Sequence, residues 1–146
     1  MPVRDLTEQQ LALGRALEQV TTWLRRTRSA TDLSPTGVST LDRLAATGPA
    51  RITDLAAREG VSQPGMTTLV HRLVEHGWAT REPDPADGRA ALVRITDAGR
   101  DRIAAYRARR AEEIAERMDG LAPEDQASLL AALPALTHLT ETGRRP

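Results

Sequence analysis

The residues best suited to directed hydrogen bonding gather between Val61 and Trp78, in the stretch VSQPGMTTLVHRLVEHGW. Gln63, Thr67, Thr68, His71, Arg72 and Glu75 fall on one side of a short helix, and Met66, Leu69, Val70 and Leu73 fall on the other. The polar side offers an amide, two hydroxyls, an imidazole and a guanidinium. None of them forms a nucleophile-and-base pair at a known spacing, so their chemistry is recognition rather than bond making. Gln can bond adenine bidentately, Arg does the same to guanine, and Thr can meet a base edge or the thymine methyl. Ser62, Pro64 and Gly65 are small enough to let the backbone approach a duplex, and the free N–H groups of a helix start can hold a phosphate. A polar helix face is more often merely solvated, so the neighbouring elements must decide.

Those neighbours are legible. Thr53 is expected to cap a short helix carrying Leu55 and Ala56, which Gly60 ends. Ser62 caps the next helix, Pro64 sits in its first turn and Gly77 stops it. Two short helices joined by a Gly-containing turn make a helix-turn-helix. Trp78–Glu82 then alternates as a strand would, Pro83–Gly88 is dense in turn residues, and Ala91–Ile95 alternates again. This predicts a β-hairpin with a loop longer than the two-residue type, which after a helix-turn-helix is a wing. At its turn, Asp87 stands two residues from Arg89 and can pair with it. An Arg held on a narrow hairpin suits the negative potential of the minor groove.

Upstream, Leu6–Arg28 reads as a long helix with the stripe Leu13, Leu17, Val20 and Leu24. Ser34 and Pro35 open a helix that Gly48-Pro49 closes, and Ala50–Ile52 is a single bridging strand. Downstream, Asp97–Met118 is a helix with a weak stripe of Ile103, Tyr106, Ala111, Ile114 and Met118. The last helix opens at Pro123, carries Leu129, Leu130, Leu133, Leu136 and Leu139, and should bend or shift its hydrogen bonds at Pro134. So many exposed Leu residues suggest that the chain ends meet a second copy. The fold class expected is mainly α with a small β-hairpin: a winged helix-turn-helix over residues 34–96, flanked by dimerisation helices over 1–33 and 97–146.

Composition excludes several alternatives. There is no Cys, hence no disulfide framework, thiolate metal site or cysteine redox switch. A Gly-rich phosphate loop and an HExxH helix are both missing, so no enzyme and no cofactor are expected. His71 and Glu75, four apart with His76 adjacent, could share a zinc, but three or four ligands are needed and the only other His is His138. No metal site is therefore assigned, although a zinc-responsive regulator stands as an alternative. MPVRDLTEQQ lacks the apolar core of a signal peptide, and the run 127–140 is too short for a membrane helix, so a cytoplasmic location is expected. Net charge is zero, and residues 34–96 hold seven Arg against seven acids. A DNA-binding domain is ordinarily basic, which leaves a winged-helix protein-interaction module without DNA binding as the other alternative. Any positive face must arise from placement.

The stretch DLAAREGVSQPGMTTLVHRLVEHGWATREPDPADGRAALVRITDAGR resembles the winged-helix core of the MarR family of bacterial transcriptional regulators. The resemblance rests on Val61-Ser62-Gln63, Leu73–Gly77, the Asp-x-Arg of Asp87 and Arg89, and Ile95-Thr96 with Gly99, and it covers Ser34–Arg102. It implies a homodimeric repressor on a palindrome in double-stranded DNA. Bases would be read by Ser62, Gln63, Pro64, Thr67, Thr68, His71 and Arg72, with Arg89 in the minor groove oriented by Asp87. It also implies release by a small phenolic or anionic ligand in many relatives; Trp23, Arg26, Met66 and His71 are the candidate contacts, with core packing the competing role for Trp23.

Overall fold

A computed structural model describes residues 6–26 and 33–141, with the side chains of Arg89 and Glu141 outside that description. The chain divides into two compact units, residues 1–35 and 36–146. In the first lies helix α1 (Glu8–Arg26). Arg28, the expected helix end, falls outside the described residues. The start of α1 is a reciprocal cap that the hydrophobic pattern did not reveal. Gln10 N–H donates to Thr7 Oγ1 (3.2 Å) and Thr7 N–H donates to Gln10 Oε1 (3.0 Å), which satisfies two donors that the first helical turn leaves open. Along the stripe, Leu17 and Leu24 are half-buried while Leu13 and Val20 are exposed.

The second unit runs α2 (Pro35–Thr47), β1 (Ala50–Arg51), α3 (Ile52–Glu59), α4 (Gln63–Glu75), β2 (Ala79–Asp84), β3 (Asp87–Ile95), α5 (Asp97–Asp119), α6 (Pro123–Ala131) and α7 (Leu133–Glu141). Its core is built where α2, α3, α4 and the sheet supply Leu41, Leu44, Leu55, Met66, Val70, Leu73 and Val93, all essentially without solvent exposure. With no Phe in the chain, branched and unbranched aliphatics must fill this space, and each such side chain contributes on the order of 1.5–3 kcal/mol by leaving water. Three of the seven come from α4, so that helix is held along its whole inner face.

Two sequence expectations are corrected. Thr53 does not cap α3. The cap position is Arg51, in extended conformation (φ −72°, ψ 149°) with no side-chain cap bond. The chain passes directly from strand β1 into the helix at Ile52, which leaves Thr53 inside the first turn. The wing loop is also shorter than expected. The sheet has order β1-β3-β2 with both pairings antiparallel. The ladder runs from Ala79↔Ile95 to Pro83↔Ala91, then jumps to Asp84↔Asp87. The turn is therefore the two residues Pro85-Ala86, and residues 88–90 of β3 lie opposite no residue of β2, as a bulge. Extra length sits in the strand because Asp84 Oδ1 accepts the Ala86 N–H (2.8 Å) and closes the turn early.

At Pro134 the expected disturbance is a break: α6 ends at Ala131 and α7 begins at Leu133. Proline lacks the N–H that would continue the ladder. No residue of α6 is buried, and Leu129, Leu130, Leu133, Leu136 and Leu139 are exposed in the single chain.

The C-terminus of α4 is closed by a Schellman motif. Trp78 N–H reaches back to Leu73 C=O (2.8 Å) and Gly77 N–H to Val74 C=O (2.9 Å), with Gly77 at φ 71°. The same turn is gripped from the start of α5. Thr96 N–H donates to Trp78 C=O (3.1 Å), and Thr96 Oγ1 donates to Gly77 C=O (2.6 Å) while accepting from Gly99 N–H (3.0 Å). Gly99 is buried against this junction. A Cβ there would collide with the Trp78 carbonyl oxygen and stand 2.8 Å from Ile95 Cγ1. The Trp78 ring stacks on His76 (centroids 4.5 Å, 20°) and lies 5.2 Å from the Arg102 guanidinium.

Opposed charges cross the sheet. Arg94 holds Glu82 by two bonds of 2.9 and 2.8 Å, an exposed pair of small energetic value. Arg51 Nε donates to Asp84 Oδ2 (2.7 Å), and Asp84 is buried. The Ala86 N–H, then the Arg51 guanidinium, hold the Asp84 carboxyl below the usual carboxylate range, with burial opposing them.

Two measurements check these contacts. Gly99→Ala should cost about 1–3 kcal/mol through overpacking, seen as a lower urea midpoint at unchanged slope; an unaltered midpoint would show that the junction yields freely. Because the Asp84 value is depressed by folding, its ionised form stabilises the protein above the ordinary aspartate range. That contribution fades as pH falls below about 4. Asp84→Asn should therefore flatten the acid limb of stability against pH, and superimposable limbs for the two proteins would refute the assignment.

Candidate nucleic-acid interface

The polar side of α4 is positioned by its buried side. Ser62 caps the helix, its Oγ accepting from Gly65 N–H (3.2 Å), and Pro64 occupies the first turn where no N–H is required. From there, two rows at four-residue spacing run along the exposed face. Gln63, Thr67, His71 and Glu75 form one; Pro64, Thr68 and Arg72 form the other, and all seven are exposed. Met66, Val70 and Leu73 point the opposite way into the core. The sequence-derived reading residues are thus brought together on one surface, with Ser62 exposed at its leading end.

The hydroxyls on this surface are already partly used. Thr67 Oγ1 donates to Gln63 C=O (2.9 Å) and Thr68 Oγ1 to Pro64 C=O (3.0 Å). With their protons directed at the helix, these residues present lone pairs and a methyl group outward. That combination suits the amino groups of adenine or cytosine and the methyl of thymine. His71 Nδ1 lies 3.4 Å from Glu75. Among the described residues, no group of three or more His, Asp or Glu is placed to hold a metal ion.

Zero net charge is resolved locally. Asp42 is engaged by Arg107, Glu59 by Arg43, Glu82 by Arg94, Asp84 by Arg51 and Glu113 by Arg110. None of these five acids lies on α4. From Ser62 to Arg72 there is no carboxylate at all, while the helix N-terminus adds its own partial positive charge. Arg72 is exposed at the end of this acid-free run.

Asp87 is exposed at the start of β3, and the backbone of Arg89 lies inside the bulge. The expected orientation of Arg89 by Asp87 involves a side chain outside the described residues. Of the ligand candidates, Trp23 is half-buried and Arg26 exposed on α1, in the first unit. Met66, at 0% exposure, lies on the inner face of α4 in the core. His71 is exposed on the α4 face.

Sequence reasoning missed the Arg51–Asp84 pair and the clasp made by Thr96 and Gly99. Asp84 sits in the run Pro-Asp-Pro, where turn formation explains it fully, and its partner is 33 residues away in the chain. No local pattern marks such a contact. Thr96 and Gly99 were visible as a helix start, but not as a lock on the preceding helix.

The sequence pattern of the MarR family matches residues 33–91. An uncharacterised helix-turn-helix transcriptional regulator of Mycobacterium bovis is 31% identical over 129 residues, which is 88% of this chain and 90% of the relative. Among solved structures, a putative transcriptional regulator of Pseudomonas aeruginosa is similar with a TM-score of 0.73 at 30% identity, covering 92% of this chain and 98% of its own. The PcaV transcriptional regulator of Streptomyces coelicolor, solved with its natural ligand, gives a TM-score of 0.59 at 25% identity over 94% of this chain and 98% of its own. No helix among the described residues is long and apolar enough to cross a membrane. A capped helix whose polar face is free of acids as far as Arg72, a hairpin beside it and relatives that are regulators rather than enzymes lead to one conclusion: the chain belongs to the MarR family of DNA-binding transcriptional regulators.

Proposed function

We propose that the protein is a homodimeric repressor that occupies a palindromic operator, with one α4 in the major groove of each half-site. The observation that carries this is the exposed double row of Gln63, Thr67, His71 and Pro64, Thr68, Arg72, free of carboxylates as far as Arg72 and held rigid by a buried opposite face. The leucines left exposed on α6 and α7 in the single chain support a second copy as their cover. Dimer symmetry would set the two recognition helices roughly 34–36 Å apart, one helical turn of DNA. Arg89, carried on the wing and oriented by Asp87, enters the minor groove. Release by a small phenolic or anionic effector is supported by the resemblance to the PcaV regulator, which was solved with its natural ligand.

Selection of bound sequences from random DNA tests the reading directly, with a palindromic consensus as the expected product. Absence of any bound fragment at about 50 mM salt, where phosphate contacts are strongest, would instead favour a protein-interaction module. Arg72→Ala should cost about 1–3 kcal/mol and relax preference at one position per half-site. Equal weakening on every sequence would reassign Arg72 to a phosphate. Arg89→Ala should weaken binding broadly; an unchanged affinity would place the wing off the DNA.

A further inference from the structure

The wing has an unusual attachment. Its ladder to β3 is regular only as far as Pro83↔Ala91. Beyond that point a single pair, Asp84↔Asp87, closes the turn, and residues 88–90 bulge from β3 without partners in β2. The regular ladder therefore does not by itself fix the direction in which the tip points. A different contact reaches it. Arg51 lies on β1, an edge strand, opposite Leu92 of the central strand β3. Leu92 is in turn opposite Glu82 of β2, and Asp84 is two residues further along. The Arg51 side chain thus spans β3 to bond Asp84 on the far strand, with Nε at 2.7 Å from Oδ2.

The two carboxylate oxygens have separate tasks. Oδ1 accepts the Ala86 N–H and shapes the turn, while Oδ2 takes the guanidinium. Arg51 is also the residue at the cap position of α3, the first helix of the helix-turn-helix. Its backbone is fixed by pairing with β3 on one side and by α3 on the other. A buried carboxylate joined to a guanidinium has narrow angular freedom, because the pair loses its hydrogen bonds when it rotates.

We infer that Arg51 and Asp84 are positioning residues that aim the wing tip, and with it Arg89, relative to the recognition helix α4. The inference rests on the DNA-binding reading above. Neither residue touches DNA in this scheme; each acts through the direction of the tip.

Asp84→Asn separates the two tasks, since the amide oxygen can still accept from Ala86 while the charge that holds Arg51 is gone. Arg51→Gln removes the other half. With full-length protein and the selected operator, each variant should bind about tenfold more weakly. Hydroxyl-radical protection in the minor groove beneath the wing should disappear, and protection of guanine N7 in the major groove should remain. Adding Arg89→Ala to either variant should cause no further loss, because residues that act through one contact are non-additive. A merely structural contribution would lower both protections together and would add to Arg89→Ala.

Circular dichroism sets a temperature at which every variant is folded. If Asp84→Asn does not fold, Arg51→Lys, which keeps the charge but cannot reproduce the forked contact, takes its place with the same expectation. Wild-type affinity in the variants, retained minor-groove protection or additive losses would each overturn the inference. If Arg89→Ala alone weakens binding and the strut variants do not, the inference fails while the DNA-binding reading stands. If the unaltered protein binds no operator, both fall.

Discussion

The carbonyl groups of Gly77 and Trp78 are the point on which the winged-helix unit turns. They emerge from the end of α4, and both are claimed by Thr96, whose N–H and hydroxyl donate to them. The close approach is possible only because Gly99 has no side chain. One small cluster therefore closes α4, begins the outgoing strand of the wing, receives its returning strand and starts α5. Displacing any one of these elements pulls on the other three. The Trp78 ring, stacked on His76 and near Arg102, adds an apolar cover to a junction made mostly of backbone.

Charge in this chain is organised by subtraction. The cations and acids balance, but they are not evenly mixed in space. Carboxylates are consumed by arginines on α2, α5 and the sheet; the exposed pairs, Arg94–Glu82 and Arg107–Asp42, contribute little to stability. Their consequence is electrostatic rather than energetic. They neutralise carboxylates on other elements, while on α4 a helix start and Arg72 supply positive potential. Since every cation is Arg, each can engage a carboxylate or a base edge through a planar fork, which Lys cannot do.

Most of the winged-helix framework was legible because its signals are local. Ser62, Gly60 and Gly77 bracket α4, and the alternation of Met66, Val70 and Leu73 with Gln63, Thr67 and Arg72 states which side is buried. The failures have separate causes. Thr53 looked like a cap because Thr before an apolar residue usually is one, yet pairing of Arg51 with Leu92 brought the helix start forward. The six turn-forming residues from Pro83 to Gly88 predicted a long loop, but Asp84 closed a two-residue turn and displaced the surplus into β3. Met66 was legible as an inward residue, and the structure buries it completely. For Thr53 a pairing distant in sequence overrode a sound local preference, whereas the wing turn was closed by a side-chain bond within the turn itself. The polar face itself was readable in full, whereas the strut that spans the sheet was not, since nothing in Pro83-Asp84-Pro85 refers to Arg51.

The bulge at residues 88–90 has a meaning for how such a protein can change over time. Register in a sheet is unforgiving, because a slip of one residue turns every side chain over. Here Val93 and Ile95 must stay inward, and their alignment is fixed by the regular pairs from Ala79↔Ile95 to Pro83↔Ala91. The bulged residues 88–90, which have no partners in β2, carry no such obligation. Substitutions, and even a gained or lost residue, can accumulate there while the inward pairs and the Asp84 contacts stay in place. The segment assigned to the minor groove is thereby insulated from the segment that keeps the domain folded, and preference for DNA can drift in one without a toll on the other.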